Sequence, residues 1–203
     1  MPAVSLAANK AAVARTLLAF RGWALHDRPG YYAKLSWQPP VPVRLELFRY
    51  DNRANPEDVN SDLEWGWRTR FNQLAAIADL GGGTQLKGQA MAGHTLMGFV
   101  EGERRWIDAQ FRSAYAMLTR PSGPFGLAAR IEAFDVRNRG GVWDAEYDDT
   151  GWSAMVAAKR EWGSMTGLIE LLHVSSKRLD REEVGLKPRQ HQTQLQAALR
   201  MHW

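Results

Sequence analysis

The chain has 203 residues, no cysteine and a formal net charge of +4, and it is 45% hydrophobic and 24% charged. This composition excludes a disulfide framework and thiol chemistry, and it is too apolar for a disordered chain. The sequence lacks the run of about 18 apolar residues that a spanning helix needs, whereas a spanning strand needs only about 9–11 residues, half of which can be polar. We assign residues 1–14 to an N-terminal segment, either poorly ordered or the remnant of a missing N-terminal part, and residues 15–203 to one unit.

Ten segments alternate apolar and polar residues with period two, which predicts β-strands. In chain order they are residues 15–25, 31–37, 43–50, 65–74, 84–92, 106–120, 125–136, 151–160, 165–174 and 192–203. The last segment is the clearest, because Leu195 and Leu199 fall on one side and Gln194 and Gln196 on the other.

The connections between these segments alternate in length. Short links rich in Gly and Pro lie at 38–42, 81–83, 120–124 and 160–163, and long polar links lie at 51–62, 94–105, 137–150 and 175–189. Short turns on one rim and long loops on the other are typical of outer-membrane barrels. The predicted fold is therefore all-β, an antiparallel up-and-down transmembrane β-barrel of about ten strands or an incomplete part of a larger barrel.

The polar sides of the predicted strands carry more bases than acids, which predicts a cationic lumen that attracts anions. The bases assigned to the lumen are Arg21, Lys34, Arg44, Arg68, Arg70, Lys87, Arg112, Arg130, Lys159 and Arg200. The acids assigned to it are Glu46, Asp108, Glu132 and Glu170. The alternative is that the bases only solvate a polar wall and pair with these acids across strands.

The C-terminal segment QTQLQAALRMHW resembles the terminal strand by which outer-membrane barrels are recognised by their assembly machinery. The positions that carry this resemblance are Leu195, Ala197, Leu199, Met201 and Trp203. The strings EWGWRTRFNQL, GGGTQLKGQAMAGHT and LIELLHVSS resemble the C-terminal portion of bacterial porins similar to the phosphate-selective porin family, over roughly residues 15–203.

This resemblance implies a channel in the outer membrane of a Gram-negative bacterium. Such a channel allows passive diffusion of small solutes, with anions such as phosphate favoured. The implied partners are the lipid bilayer, lipopolysaccharide, the barrel assembly machinery and, in a homotrimer, further copies of the chain. Nucleic acid is not an expected partner.

Two other functions stay open at this stage. A soluble antiparallel β-barrel or sandwich that binds an acidic ligand would also show the alternation. A hydrolase embedded in a barrel would need a catalytic constellation, and the sequence contains no GxSxG elbow and no metal-binding spacing of histidines. We therefore expect no enzymatic activity, no catalytic residue, no metal site and no cofactor.

Overall fold

A computed structural model describes residues 29–141 and 148–201. It contains β1 (Tyr31–Trp37), β2 (Val43–Asp51), β3 (Arg68–Gly81), β4 (Thr84–Glu101), β5 (Arg104–Ser122), β6 (Phe125–Asn138), β7 (Asp149–Trp162), β8 (Met165–Arg178) and β9 (Arg189–Met201), with a 3-10 helix at Leu179–Val184. The predicted segment 1–14, the predicted strand at 15–25 with Arg21, and Trp203 lie outside the described residues.

All neighbouring strands pair antiparallel in the order β1 to β9 and form one up-and-down sheet. The all-β antiparallel prediction is confirmed, and each of the other nine predicted strands corresponds to one observed strand. Within the described residues the sheet is open, because β1 pairs only with β2 and β9 only with β8. The prediction of a closed barrel is therefore not met by these residues.

The connections fall on two rims of the sheet. One rim carries the link 38–42 and two-residue turns after β3, β5 and β7, and we call it the short-turn rim. Glycines at the first position of the last two turns, Gly123 and Gly163, have φ values of 58° and 56°, which suits tight hairpins. The opposite rim, the long-link rim, carries the links 52–67, 139–148 and 179–188.

The predicted long link at 94–105 is wrong. Strands β4 and β5 continue through this region to a two-residue turn that starts at Gly102 (φ 64°). The link 52–67 packs against this extended hairpin, where the Trp65 ring lies 4.9 Å from that of Trp106 and the Gly98 amide donates to Pro56 at 2.7 Å. Residues 96–100 of this segment are apolar (LMGFV), and contacts with the link 52–67 stabilise the extended hairpin.

The described residues contain no fully buried hydrophobic side chain. They form a single layer, whereas a protein sheet in water normally buries one face against a second layer. Many large apolar side chains therefore stay exposed, among them Ile131 at 65% and Leu195 at 71%. Exposed apolar surface on this scale is typical of an interaction surface or a membrane-facing one.

Candidate functional site

The strand register sorts the side chains onto two faces, because directly paired residues project to the same side of a sheet. We call one side the apolar face, and its central positions include Leu35, Leu47, Leu74, Ala90, Ala114, Ile131, Val156, Ile169 and Ala197. We call the other the polar face, and it includes Lys34, Glu46, Lys87, Arg130, Lys159, Glu170 and Arg200.

Exposure is inverted relative to a protein that folds around an apolar core. In β6, Leu127, Ala129 and Ile131 of the apolar face are exposed, whereas Arg130 and Glu132 of the polar face are half-buried. Strand β5 repeats this pattern. Side chains crowd together on the concave side of a curved sheet, so this difference indicates that the sheet curves towards its polar face.

The apolar residues form a band that runs obliquely across the strands. A line of directly paired residues across all nine strands is called a register line. The register line from Leu35, the centre of the apolar set in β1, reaches His191 in β9. The apolar set of β9 is instead centred at position 198. The shift of seven residues (198 − 191) builds up mainly in the second half of the sheet, since it is two residues in β3 (76 − 74), two in β5 (116 − 114) and five in β7 (157 − 152).

This shift gives the inclination of the band. Seven residues correspond to about 23 Å along a strand, and the eight steps between strands to about 38 Å, so the band is inclined by roughly 30°. Strands that cross a membrane in a barrel are tilted by about 35–45° from the barrel axis. A level slab of lipid crossing tilted strands would produce an oblique band of this kind.

The ends of the band are marked by tryptophan and arginine. In β7 the apolar face runs from Trp152 to Trp162. Arg160 also lies on this face, two residues before Trp162, with its guanidinium 5.2 Å from the centre of the Phe125 ring. Ten residues along a strand inclined by roughly 30° project to about 29 Å, close to the band of about 25 Å expected in an outer membrane. In β5 the apolar set lies between Arg112 and Arg120, a projection of about 23 Å.

Most of the predicted lumen residues share the polar face. The bases found there are Lys34, Arg44, Lys87, Arg130, Lys159 and Arg200, and the acids are Glu46, Glu132 and Glu170. The same face also carries Asp79, Asp149, Glu161 and Arg178. Bases and acids on this face are therefore nearly balanced in number, and the excess of bases is smaller than the sequence pattern indicates.

Four predicted lumen residues lie on the opposite face. Arg68, Arg70, Arg112 and Asp108 share the apolar face, between the apolar band and the long-link rim. The sequence pattern groups these four with the other predicted lumen residues, whereas near this rim the aromatic residues share a face with those residues. There the rings of Phe71 and Phe111 lie 6.4 Å apart, and that of Phe71 lies 5.3 Å from Tyr50.

Three bases of the polar face lie on one register line. Arg44, Lys87 and Arg130 occupy alternate strands, separated by Ile77 and Met117. The Arg44 Nε lies 3.5 Å from Glu46, which also binds the Lys34 ammonium at 2.9 Å. Arg130 contacts Glu132 at 2.5 Å and stacks 4.5 Å from the centre of the Tyr115 ring. No carboxylate among the described residues lies within 4 Å of the Lys87 ammonium.

The predicted assembly positions of the last strand share one face. Leu195, Ala197, Leu199 and Met201 pair with Leu171, Ile169, Gly167 and Met165 of β8, and they continue the apolar band to the edge of the sheet. Recognition of this strand by an assembly machine stays a prediction.

Comparison with known proteins does not identify a relative, since no family model, curated protein or solved structure matches the chain. Among the described residues, no helix is long and apolar enough to cross a membrane. Nor do these residues contain a group of three His, Asp or Glu side chains placed to bind a metal ion.

Proposed function

We propose that this sheet is part of the wall of an outer-membrane channel, with its apolar face against lipid and its polar face lining an aqueous path. The observation that carries the proposal is the inverted exposure of the two faces. An exposed apolar band of membrane height would be unstable in water, and lipid is the covering that fits its height and inclination.

The edge strands β1 and β9, each of which pairs on one side only within the described residues, also bear on the proposal. Unpaired backbone groups are costly in a membrane, so β1 and β9 would each need another strand from this chain or from a second one. A nine-stranded sheet would then be one section of a closed wall. A soluble sandwich is less favoured, because the described residues supply only one of its two layers.

The solutes that fit the polar face are small anions, including inorganic phosphate. Arg44, Lys87 and Arg130 place three bases on one register line, which crosses the wall obliquely because the strands are inclined, and Lys87 has no ion-pair partner among the described residues. Since the nearby carboxylates Glu46 and Glu132 offset part of this charge, we expect a modest preference for anions.

Planar bilayers test this function directly. The protein should produce conductance steps, and the reversal potential in asymmetric KCl should indicate preference for chloride. Replacing Lys87→Glu and Arg130→Glu together should shift the reversal potential towards the potassium value. The matched control Arg120→Glu changes charge at the end of the apolar band and should leave it unchanged. Absence of conductance from protein that has inserted would refute the proposal.

A further inference from the structure

A groove on the apolar face of the sheet has an apolar lining and room for part of an acyl chain. Its volume is about 550 Å³. Small side chains of three adjacent strands form its floor, and larger side chains of β2 and β3 form one wall; these residues are Leu47, Leu74, Ala90, Ala92, Ala114 and Ala133. The groove lies within the apolar band, at the end that faces the long-link rim.

The groove opens into a cationic cleft of about 190 Å³. The two share Ala92, Arg112 and Asp135, and the cleft is completed by further side chains that include Arg137 and Arg139. The Asp135 carboxylate accepts hydrogen bonds from Arg112 at 2.7 Å and from Arg137 at 3.2 Å. Two guanidinium groups contact this carboxylate and that of Arg139 lines the same cleft, so the charged side chains of the cleft sum to about +2.

We propose that the groove and the cleft together bind a phosphorylated glycolipid of the outer leaflet, with an acyl chain in the groove and a phosphate monoester against Arg112 and Arg137. The inference rests on the proposed function, because it takes the apolar face to be covered by lipid. The site lies next to the long-link rim, and long links are the extracellular loops of outer-membrane barrels.

The charge of the cleft favours this occupant over other lipids. A phosphate monoester carries about −1.5 to −2 charges at neutral pH, which matches the local charge of about +2. A phospholipid diester carries only one negative charge. Arg112 and Arg137 are 65% and 50% exposed, so both can turn donors to a ligand while still contacting Asp135. Guanidinium and phosphate groups form paired, charge-assisted hydrogen bonds.

The test compares lipid binding by three proteins in neutral detergent micelles: the unmodified chain, the double variant Arg112→Gln with Arg137→Gln, and the control Arg120→Gln. Arg120 lies on the same face at the opposite end of the band. The probes are bisphosphorylated lipid A, its dephosphorylated form, phosphatidylglycerol and inorganic phosphate, with binding followed by native mass spectrometry.

We expect lipid A to bind the unmodified protein and the control equally, and the double variant at least about tenfold more weakly. Dephosphorylated lipid A and phosphatidylglycerol should bind weakly to all three proteins. Equal binding of lipid A by the double variant would overturn the inference, as would equal loss in the control or full competition by inorganic phosphate. Conductance measured on the same preparations keeps the proposals separate, since a protein that conducts without this lipid preference refutes only the lipid site.

Discussion

A single arginine introduced into the last strand distinguishes lipid from water at the apolar face. Ala197 lies on the apolar face of β9, opposite Ile169 and one residue from the centre of the apolar set. Its neighbour Gln196 lies on the polar face opposite Glu170. We compare Ala197→Arg with Gln196→Arg, which add the same side chain one position apart.

The expected difference follows from depth and pairing. An arginine at the bilayer midplane costs about 2–4 kcal/mol, and this cost falls to about 0–1 kcal/mol near the interface. Gln196→Arg instead gains a cross-strand ion pair with Glu170 worth about 0.2–1 kcal/mol. The free energies of unfolding should therefore differ by about 2–5 kcal/mol, with Ala197→Arg the less stable protein.

Urea titration of protein refolded into vesicles, followed by tryptophan fluorescence, gives these free energies. Thr193→Arg serves as the depth control, because position 193 lies about 14 Å from the centre of the band and should lose no more than about 1 kcal/mol. Equal stability of Ala197→Arg and Gln196→Arg would show that Ala197 is exposed to water, and the membrane proposal would fail at this strand.

Two further predictions concern packing within the sheet. A Cβ atom at Gly151 would lie 2.5 Å from Phe134 Cζ, so Gly151→Val should lower the free energy of unfolding by about 1–3 kcal/mol through overpacking. Gly163→Ala is the control: a Cβ atom there meets no atom within 4 Å, so this variant should show only the smaller cost of backbone strain. Asp51 is 4% exposed and lies 3.4 Å from Arg68, so Asp51→Ala should cost about 1–3 kcal/mol, and an unchanged urea midpoint would contradict the role of this carboxylate.

The positions of the strands could be predicted from the sequence. Which residues of a strand belong to the apolar face and which to the polar face could be predicted for some strands only. A period of two defines two sides without saying which side is which. In β6 the contrast between Ile131 and Glu132 settles the phase. In β5 both sides are apolar, since Ala116 and Met117 are neighbours, so the alternation alone does not determine the phase.

The lipid site could not be predicted from the sequence for the same reason. Asp135 and Arg137 are two positions apart on β6, but only the register between β5 and β6 places Arg112 opposite Asp135. Whether the described strands form an open sheet or a closed barrel could not be predicted from the sequence either, because closure depends on the pairing of edge strands and leaves no local pattern. Local alternation is thus informative about strands and weakly informative about surfaces that several strands share.

The most direct test of the proposed membrane wall is spin-label accessibility along β6. The chain contains no cysteine, so single substitutions at Ala129, Arg130, Ile131 and Glu132 allow specific labelling. In vesicles, labels at 129 and 131 should be accessible to oxygen and protected from a polar nickel complex, and labels at 130 and 132 should show the reverse. Labels at all four positions that are equally accessible to the nickel complex would contradict a lipid-facing apolar band.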